Sequence, residues 1–340
     1  MASSVTDLEK SASQVEQMTE ERALARSLHE LSFPAGRYRF EFEVTEPINF
    51  PEYAGSAIRG AFGWALRHIA CMTRQRECRG CPLWRTCPYA TLMETQPPDG
   101  HVLQKFSQIP HPYVIEPPEL GARVYEPGEV FGFHVVLIGR AVELLPLVIY
   151  AMKKAFLRNI SRGSAELESV SFVREDGDEE LIYGAGIEEV ADHDATLYMP
   201  IAEAPVDIAL DFYAPLRLQE NSRPLPPDEI TARNLLMALV RRTALLLEFH
   251  CGHPLNLPFH QLSAICGTAA ANTSGMGWFN WHRYSSRQRQ KMNLGGNLGV
   301  VMLSNVSPAL VPFVYAGQWL HVGKNATFGL GGYNAQVMAD

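Results

Sequence analysis

Four of the chain's six cysteines lie within seventeen residues, at Cys71, Cys78, Cys81 and Cys87, in the pattern C-x6-C-x2-C-x5-C. A C-x2-C pair is the spacing from which two thiolates reach one metal ion, and Gly80 inside it eases the turn. Cys71 and Cys87 flank the pair and supply the other two soft ligands of a tetrahedron, the set that Zn2+ takes. Arg74, Arg76, Arg79 and Arg85 are interspersed, and their charges favour the thiolate forms. Four protein ligands leave no coordination position open, so the expected role is structural: a metal that stiffens a loop. A four-thiolate iron–sulfur cluster is the alternative to zinc, and no feature of the segment decides between them. Six cysteines are too few to staple a chain of 340 residues, which points to a reducing, cytoplasmic setting.

Two other segments carry residues suited to phosphate. In "WHRYSSRQRQKMNLGG" (Trp281 to Gly296) basic and aromatic side chains interleave, a pattern that grips RNA through phosphate contacts and base stacking. Arg283, Arg287, Arg289 and Lys291 are the candidate contacts there, and His282 and Tyr284 are candidate proton-transfer groups. The plain alternative is a solvated hairpin loop. Near the end, "GQWLHVGKNATFGLGGYNAQV" places Gly323, Gly329 and Gly331 where backbone N–H groups could approach phosphate closely, with Lys324 as a point charge. The G-x4-G-K-[ST] spacing of a nucleotide-binding P-loop is absent. A glycine-rich turn ahead of a last strand is the competing reading.

The net charge of −8 argues weakly against a polyanion, because its distribution is uneven. No acidic residue lies between Glu52 and Glu77, or between Glu248 and Asp340, while the acids crowd into "EDGDEE" and "EEVADHD". A polyanion feels charge within roughly 8–10 Å at physiological salt, so local composition matters more than the total.

The elements that must position these residues repeat one order. "RYRFEFEV" alternates apolar and charged residues, as a half-buried strand does. "EYAGSAIRGAFGWALRHIAC" follows, with Ala54, Ile58, Ala61, Phe62, Ala65, Leu66 and Ile69 on one helical face. On that helix Arg59, Gly63 and Arg67 form a stripe at i, i+4 and i+8. Gly60 and Gly63 each cost about 1 kcal/mol of helix propensity relative to Ala, which suggests close packing or a nearby ligand. Strands at "PYVIEPP" and "EVFGFHVVLIG", a helix over 142–156 and a strand at "ELESVSFV" complete a strand–helix–strand–strand–helix–strand series. From "VDIALDFYAPLRL" onward the series recurs, with a long helix over "PDEITARNLLMALVRRTALLLEF" capped by Asp228. The expectation is an α+β chain of tandem ferredoxin-like, RRM-like domains with a four-cysteine metal-knuckle insertion. Residues 1–34 would be a polar leader, mostly disordered or loosely helical. Residues 35–195 would be the first domain, with the knuckle at 71–90, and 196–340 the second, with the glycine-rich loop. No apolar run reaches the roughly 18 residues a membrane-spanning helix needs, so no membrane is expected as a partner.

The combination of "GSAIRGAFGWALRHIAC", "CRGCPLWRTCPYA", "RYSSRQRQ…GGNLG" and "HVGKNATFGLGGY" resembles the CRISPR repeat-processing endoribonucleases of the RAMP superfamily, specifically their cysteine-containing branch. The resemblance covers most of the chain from about residue 35. It implies tandem ferredoxin-like domains that bind CRISPR repeat RNA and cut it once per repeat without a catalytic metal. The 2′-hydroxyl would attack the adjacent phosphorus and leave a 2′,3′-cyclic phosphate; the mature crRNA is the product. In the family a histidine on or just after the first helix often serves as the base, which makes His68 the candidate here, beside Arg67. A helix-terminal histidine that complements the dipole is the alternative for His68. Arg59, Arg67, Arg283, Arg287, Arg289, Lys291, Gly323, Lys324, Gly329 and Gly331 are the expected RNA contacts. His250, His253 and His260 read as structural. The other function compatible with the resemblance is a non-catalytic RAMP subunit that holds guide RNA, alongside other subunits, in a CRISPR effector complex.

Overall fold

The computed structural model describes residues 19, 21–31, 33–95, 109–158, 160–187, 189–254, 257, 259–285 and 290–338, with the backbone alone at 282–285 and 290–293. A helix over 21–29, α1, opens it. It is not a loose leader: Ala25 and Leu28 are fully buried, and Leu28 belongs to a core shared with the second half of the chain.

The first half contains β1 (Phe33–Glu46), β2 (Ile48–Phe50), α2 (Gly55–Ala70), α3 (Pro88–Met93), β3 (Tyr113–Glu116), β4 (Arg123–Tyr125), β5 (Val130–Ile138), α4 (Leu145–Arg158), β6 (Ser164–Val173), β7 (Glu179–Gly184) and β8 (Thr196–Leu197). Its sheet runs β3-β5-β1-β6-β7, all antiparallel, with β8 pairing the start of β1. The first four strands are the ferredoxin-like arrangement, with α2 and α4 packed side by side on one face. Alternation in β1 does what its pattern requires: Tyr38, Phe40, Phe42 and Val44 are buried. Phe40 faces Phe133 and Phe42 faces Phe131 across the β1–β5 ladder, and Phe156 of α4 stacks on Phe42 at 4.1 Å. Each such side chain contributes about 1.5–3 kcal/mol of burial. From α2 the expected apolar stripe supplies Ile58, Phe62, Ala65 and Leu66 to this core.

The second half contains β9 (Val206–Leu216), β10 (Gln219–Glu220), β11 (Arg223–Pro224), α5 (Ala232–Leu246), α6 (Phe259–Cys266), β12 (Ala270–Phe279), β13 (His282–Ser285), β14 (Gln290–Asn293), β15 (Gly296–Val306), α7 (Val311–Leu320) and β16 (Asn334–Val337). The order β12-β15-β9-β16 repeats the first sheet's connectivity, again antiparallel, so the tandem ferredoxin-like expectation holds. Asp228 does not cap α5. It lies in a 3-10 turn, Pro227–Glu229, and Thr231 is the cap. The Thr231 hydroxyl accepts from the Asn234 N–H at 3.2 Å while the Asn234 side chain accepts from the Thr231 N–H at 2.9 Å. This reciprocal box satisfies two helix-end donors, and the extended backbone at Ile230 moves the helix start beyond Asp228's reach. Among the described residues no helix is long and apolar enough to cross a membrane.

The two halves share more than a linker. In β3 and β5 both faces are apolar: Tyr113, Ile115, Val135 and Leu137 face α2 and α4, while Val114, Val136 and Ile138 join the core of the second half. At the end of this second face the period-two alternation places three polar residues together, Arg37, His134 and Glu116. Glu116 is buried, and its Oε1 accepts from Arg37 Nη2 at 3.0 Å and from His321 Nε2, just past α7, at 2.9 Å. His134 Nδ1 stands 3.9 Å from Oε2. The second ring nitrogen of His321 faces the carbonyl oxygens of Gly329 and Leu330 at 2.9 and 3.3 Å, and Arg37 also donates to Gln318 O at 2.7 Å. Burial alone would raise the Glu116 carboxyl, but Arg37, His321 and His134 outweigh it and bring it down to about 2.

A carboxyl with a lower pKa folded than unfolded stabilises the fold above its unfolded value of 4.5, and this contribution disappears as pH falls toward 2. At about 1.4 kcal/mol per unit it amounts to about 3 kcal/mol. Glu116→Gln should therefore lower the urea midpoint at pH 7 and flatten its fall between pH 5 and 3. A variant whose midpoint tracks the wild type across that range would remove Glu116 as the source.

Candidate nucleic-acid interface

The glycine-rich loop begins where α7 ends. Its glycines are required by the protein's own backbone. Gly331 has φ +72°, and a Cβ there would lie 1.8 Å from the Val322 carbonyl oxygen; at Gly323 (φ +90°) the obstruction is the Arg217 carbonyl oxygen at 2.6 Å. At Gly329 it is Pro117, the Ile115 carbonyl and the Tyr53 hydroxyl. The amides are spent internally as well: Gly329 N–H donates to Ala326 O at 2.9 Å, and Gly331 N–H to Pro215 O at 3.0 Å. Gly329 and Gly331 therefore shape the loop and do not offer N–H groups to phosphate, contrary to the sequence expectation. Lys324, in contrast, is exposed, with its own N–H donated to Arg217 O at 2.9 Å.

Three elements converge on this loop. The N-terminus of α2 touches it, since a Cβ on Gly55 would lie 2.1 Å from the Phe328 carbonyl oxygen. No acidic residue occupies the first turn of α2 and no side chain caps it, so its positive dipole end is uncompensated. The β13–β14 hairpin pairs His282 with Asn293 and Tyr284 with Lys291 in register, as a strand–loop–strand should. Its base is anchored by Trp281 and Leu294, which form a small core with Tyr53, Phe328 and Leu330. Trp281 lies 5.0 Å from the Tyr53 ring. Arg217, which the sequence reading missed, joins hairpin and loop: its guanidinium donates to Gly295 O at 2.5 Å while its carbonyl accepts from Lys324. The Tyr53 hydroxyl is buried and has no hydrogen-bond partner among the described residues. Arg287 and Arg289 lie outside the described residues, as do the side chains of His282, Arg283, Tyr284 and Lys291.

At the other end of α2 the arrangement is separate. His68 is exposed; its Nδ1 donates to Trp64 O at 2.8 Å, which leaves Nε2 outward with its lone pair when the ring is neutral. Thirteen residues separate His68 from Gly55, about 20 Å of helix. His68 is thus not brought to the glycine loop. Arg67 is not a free cation for RNA: Nη2 donates to Gln75 O and Arg76 O at 2.6 and 2.7 Å, which ties the cysteine loop to the helix. Arg59 is half-buried, hydrogen-bonded to Tyr113 and close to His111, with its Nε unpartnered among the described residues. Gly63 packs against the Met93 side chain, whereas Gly60 faces open space. Cys71, Cys78, Cys81 and Cys87 all line one cavity of about 120 Å³. The Cys78 thiol is pushed up by burial, then by Glu94, with smaller contributions from Cys87 and Cys71. Their sulfurs are not drawn into a ligand set: among the described residues no three His, Cys, Asp or Glu side chains are placed to hold a metal.

Residues 210–333, which hold the hairpin and the glycine loop, match the model of the CRISPR-associated endoribonuclease Cas6 family. The chain is Cas6-like. Residues 33–195 match a second family model, described as an N-terminal domain. Among solved structures, Thermus thermophilus Cas6 (TTHB231) superposes with a TM-score of 0.51 at 13% identity, over 91% of this chain and 99% of that one. The product complex of Cas6 (TTHB231) gives 0.52 at 14%, over 89% and 99%. A "Partial Cas6-RT-Cas1–Cas2 complex" gives 0.53 at 16% identity over 91% of this chain, which spans only 47% of the chain it matches. At such identities the likeness establishes the Cas6 fold. No curated protein matches the chain significantly.

In this Cas6-like fold Gly331 is the most demanding position of the loop. Gly331→Ala should destabilise the chain by about 3 kcal/mol, through strain at positive φ and a blocked carbonyl. Equilibrium urea denaturation reads it; a loss below about 1 kcal/mol would show that the loop relaxes freely.

Proposed function

We propose that this Cas6-like chain is an endoribonuclease that cuts CRISPR precursor RNA within its repeats. The observation that carries this reading is the match of the Cas6 family model to residues 210–333, the stretch in which Lys324, Arg217 and the hairpin converge on the N-terminus of α2. The cut would proceed by attack of a ribose 2′-hydroxyl on the adjacent phosphorus, giving a 2′,3′-cyclic phosphate and a 5′-hydroxyl. That reaction needs a base for the 2′-OH proton, an acid for the leaving 5′-oxygen, and positive charge at the pentavalent phosphate. Lys324 and the α2 N-terminus are the charge available at the loop, and His282 and Tyr284 are the proton-transfer candidates on its side. His68 offers a free Nε2, but about 20 Å along the helix, so a single cut site uses one end or the other.

Purified chain incubated with repeat RNA in EDTA is expected to cut at one position per repeat, and a 2′-deoxy nucleotide at that position to abolish the cut. His68→Ala and His282→Ala, assayed in single turnover, then assign the base: the true one should lower the rate by 100-fold or more. Tight binding with no cut under any condition would support the second reading, a subunit that holds guide RNA without cutting, which the distance of His68 from the glycine loop favours. Other CRISPR proteins are proposed partners on the strength of the Cas6-RT-Cas1–Cas2 relative.

The four cysteines are proposed to hold a structural metal, zinc first and an iron–sulfur cluster second. The support is their donor chemistry and their shared cavity. When bound, the metal would brace the loop and take no part in cutting. Elemental analysis should find close to one zinc per chain, and none after Cys78→Ser with Cys81→Ser; iron with absorbance near roughly 400 nm would favour the cluster.

A further inference from the structure

The outer face of the first domain's helices has no role in the site above. Neither α2 nor α4 contains an acidic residue. On α4, Tyr150, Lys154 and Arg158 fall at i, i+4 and i+8, all exposed, and so form one stripe along the helix. On the neighbouring α2, Trp64 and His68 face the same way at i and i+4. Trp64 is 39% exposed and Tyr150 48%, large values for aromatic side chains. The rings are already paired with cations or an imidazole: Arg158 lies 4.2 Å over the Trp64 ring, His68 is 4.0 Å from it, and Lys154 is 5.4 Å from Tyr150. Ala61 and Ala155, both small, open a cleft of about 240 Å³ between the helices beside Trp64 and Arg158. The stripe continues past the end of α2 into the cysteine loop, where Arg74, Arg76, Arg79 and Arg85 are exposed against one acid, Glu77.

Exposed aromatic planes interleaved with cations, and a face without carboxylates, are what a flexible polyanion with stackable rings would select. A protein partner would be expected to meet apolar contacts here, yet beyond the two rings this stripe is cationic. We propose that the α2–α4 face and the adjoining cysteine loop form a second path for single-stranded RNA. Bases stack at Trp64 and Tyr150, and phosphates lie against Lys154, Arg158 and the loop arginines. The inference rests on the proposed function, since it concerns RNA that also engages the glycine loop. It gives the cysteine loop a purpose: Arg67 and the four thiols hold a cationic rim at the end of the stripe.

The test uses the full chain and a fluorescein-labelled repeat RNA made uncleavable by 2′-deoxy substitution, with and without single-stranded flanks, read by anisotropy. Trp64→Ala should weaken binding of the flanked RNA about tenfold, the effect of losing one stacked base. Lys154→Ala with Arg158→Ala should reduce the slope of log K against log salt by about 1.4, two phosphates at about 0.7 each. Unflanked RNA should lose less, and thermal denaturation should show the variants folded. Unchanged affinity and slope in folded variants, with wild-type binding intact, would overturn this path and leave the proposed function standing. Variants that bind RNA normally but shift the sedimentation of the chain would instead make the face a copy–copy contact, and overturn it as an RNA path. Failure of the wild type to bind any repeat RNA would overturn both.

Discussion

A single buried carboxylate governs how the two halves meet. Glu116 ends β3 on the face that looks toward the second half, and it needs cations because burial would otherwise force it neutral. Arg37 and His134 come from the same sheet face, but His321 comes from the far end of α7, and its other nitrogen holds the carbonyls of Gly329 and Leu330. The carboxylate therefore fixes the start of the glycine loop against the first sheet. The loop's position sets that of Lys324, Arg217 and the hairpin base. A hydrophobic interface alone would tolerate sliding; a buried, directional set of charge-assisted hydrogen bonds accepts one register.

The glycine loop shows how one residue type serves two different demands. The sequence suggested glycines that open backbone amides to a ligand. The fold uses Gly329 and Gly331 because neighbouring carbonyls and side chains occupy the space a Cβ would take, and it closes their amides onto Ala326 and Pro215. Gly332 extends the same logic, since a Cβ there would press on the Tyr213 ring and on His321 at 2.7 Å. Positive charge at this surface must therefore come from side chains and from the α2 dipole, not from a nest of loop amides.

Much of the architecture was legible because it rests on local periodicity. Alternation in "RYRFEFEV" and the 3.6-residue stripe from Ile58 to Leu66 report burial directly, and the repeated element order carried the tandem fold. The hairpin at 282–293 was also legible, from its basic and aromatic interleaving. What escaped were relations between distant segments. Glu116 was a lone acid in the apolar strand "PYVIE", and His321 lay within a quoted motif, but nothing local says that residues 205 apart share a hydrogen bond. Arg67 looked like a free cation because its stripe on the helix was visible while the loop carbonyls it binds were not. The cap of α5 was misplaced for a smaller reason: Asp228 and Thr231 are both good caps, and the backbone at Ile230 chose between them.

Helix α2 acts as a spacer with a different chemistry at each end. Its N-terminus is a dipole end pressed against the glycine loop, and its C-terminus carries His68, Arg67 and the start of the cysteine loop. The helix is rigid, buried along one face against the Phe cluster, and cannot bend to bring its ends together. An RNA strand that contacts both must run along it, and the acid-free flank shared with α4 is the surface beside that route. The cysteines then belong to the far end of the RNA-facing surface, where a firm loop matters for holding a strand, and the phosphate to be cut is better sought at the glycine loop, where the two halves of the chain are locked together.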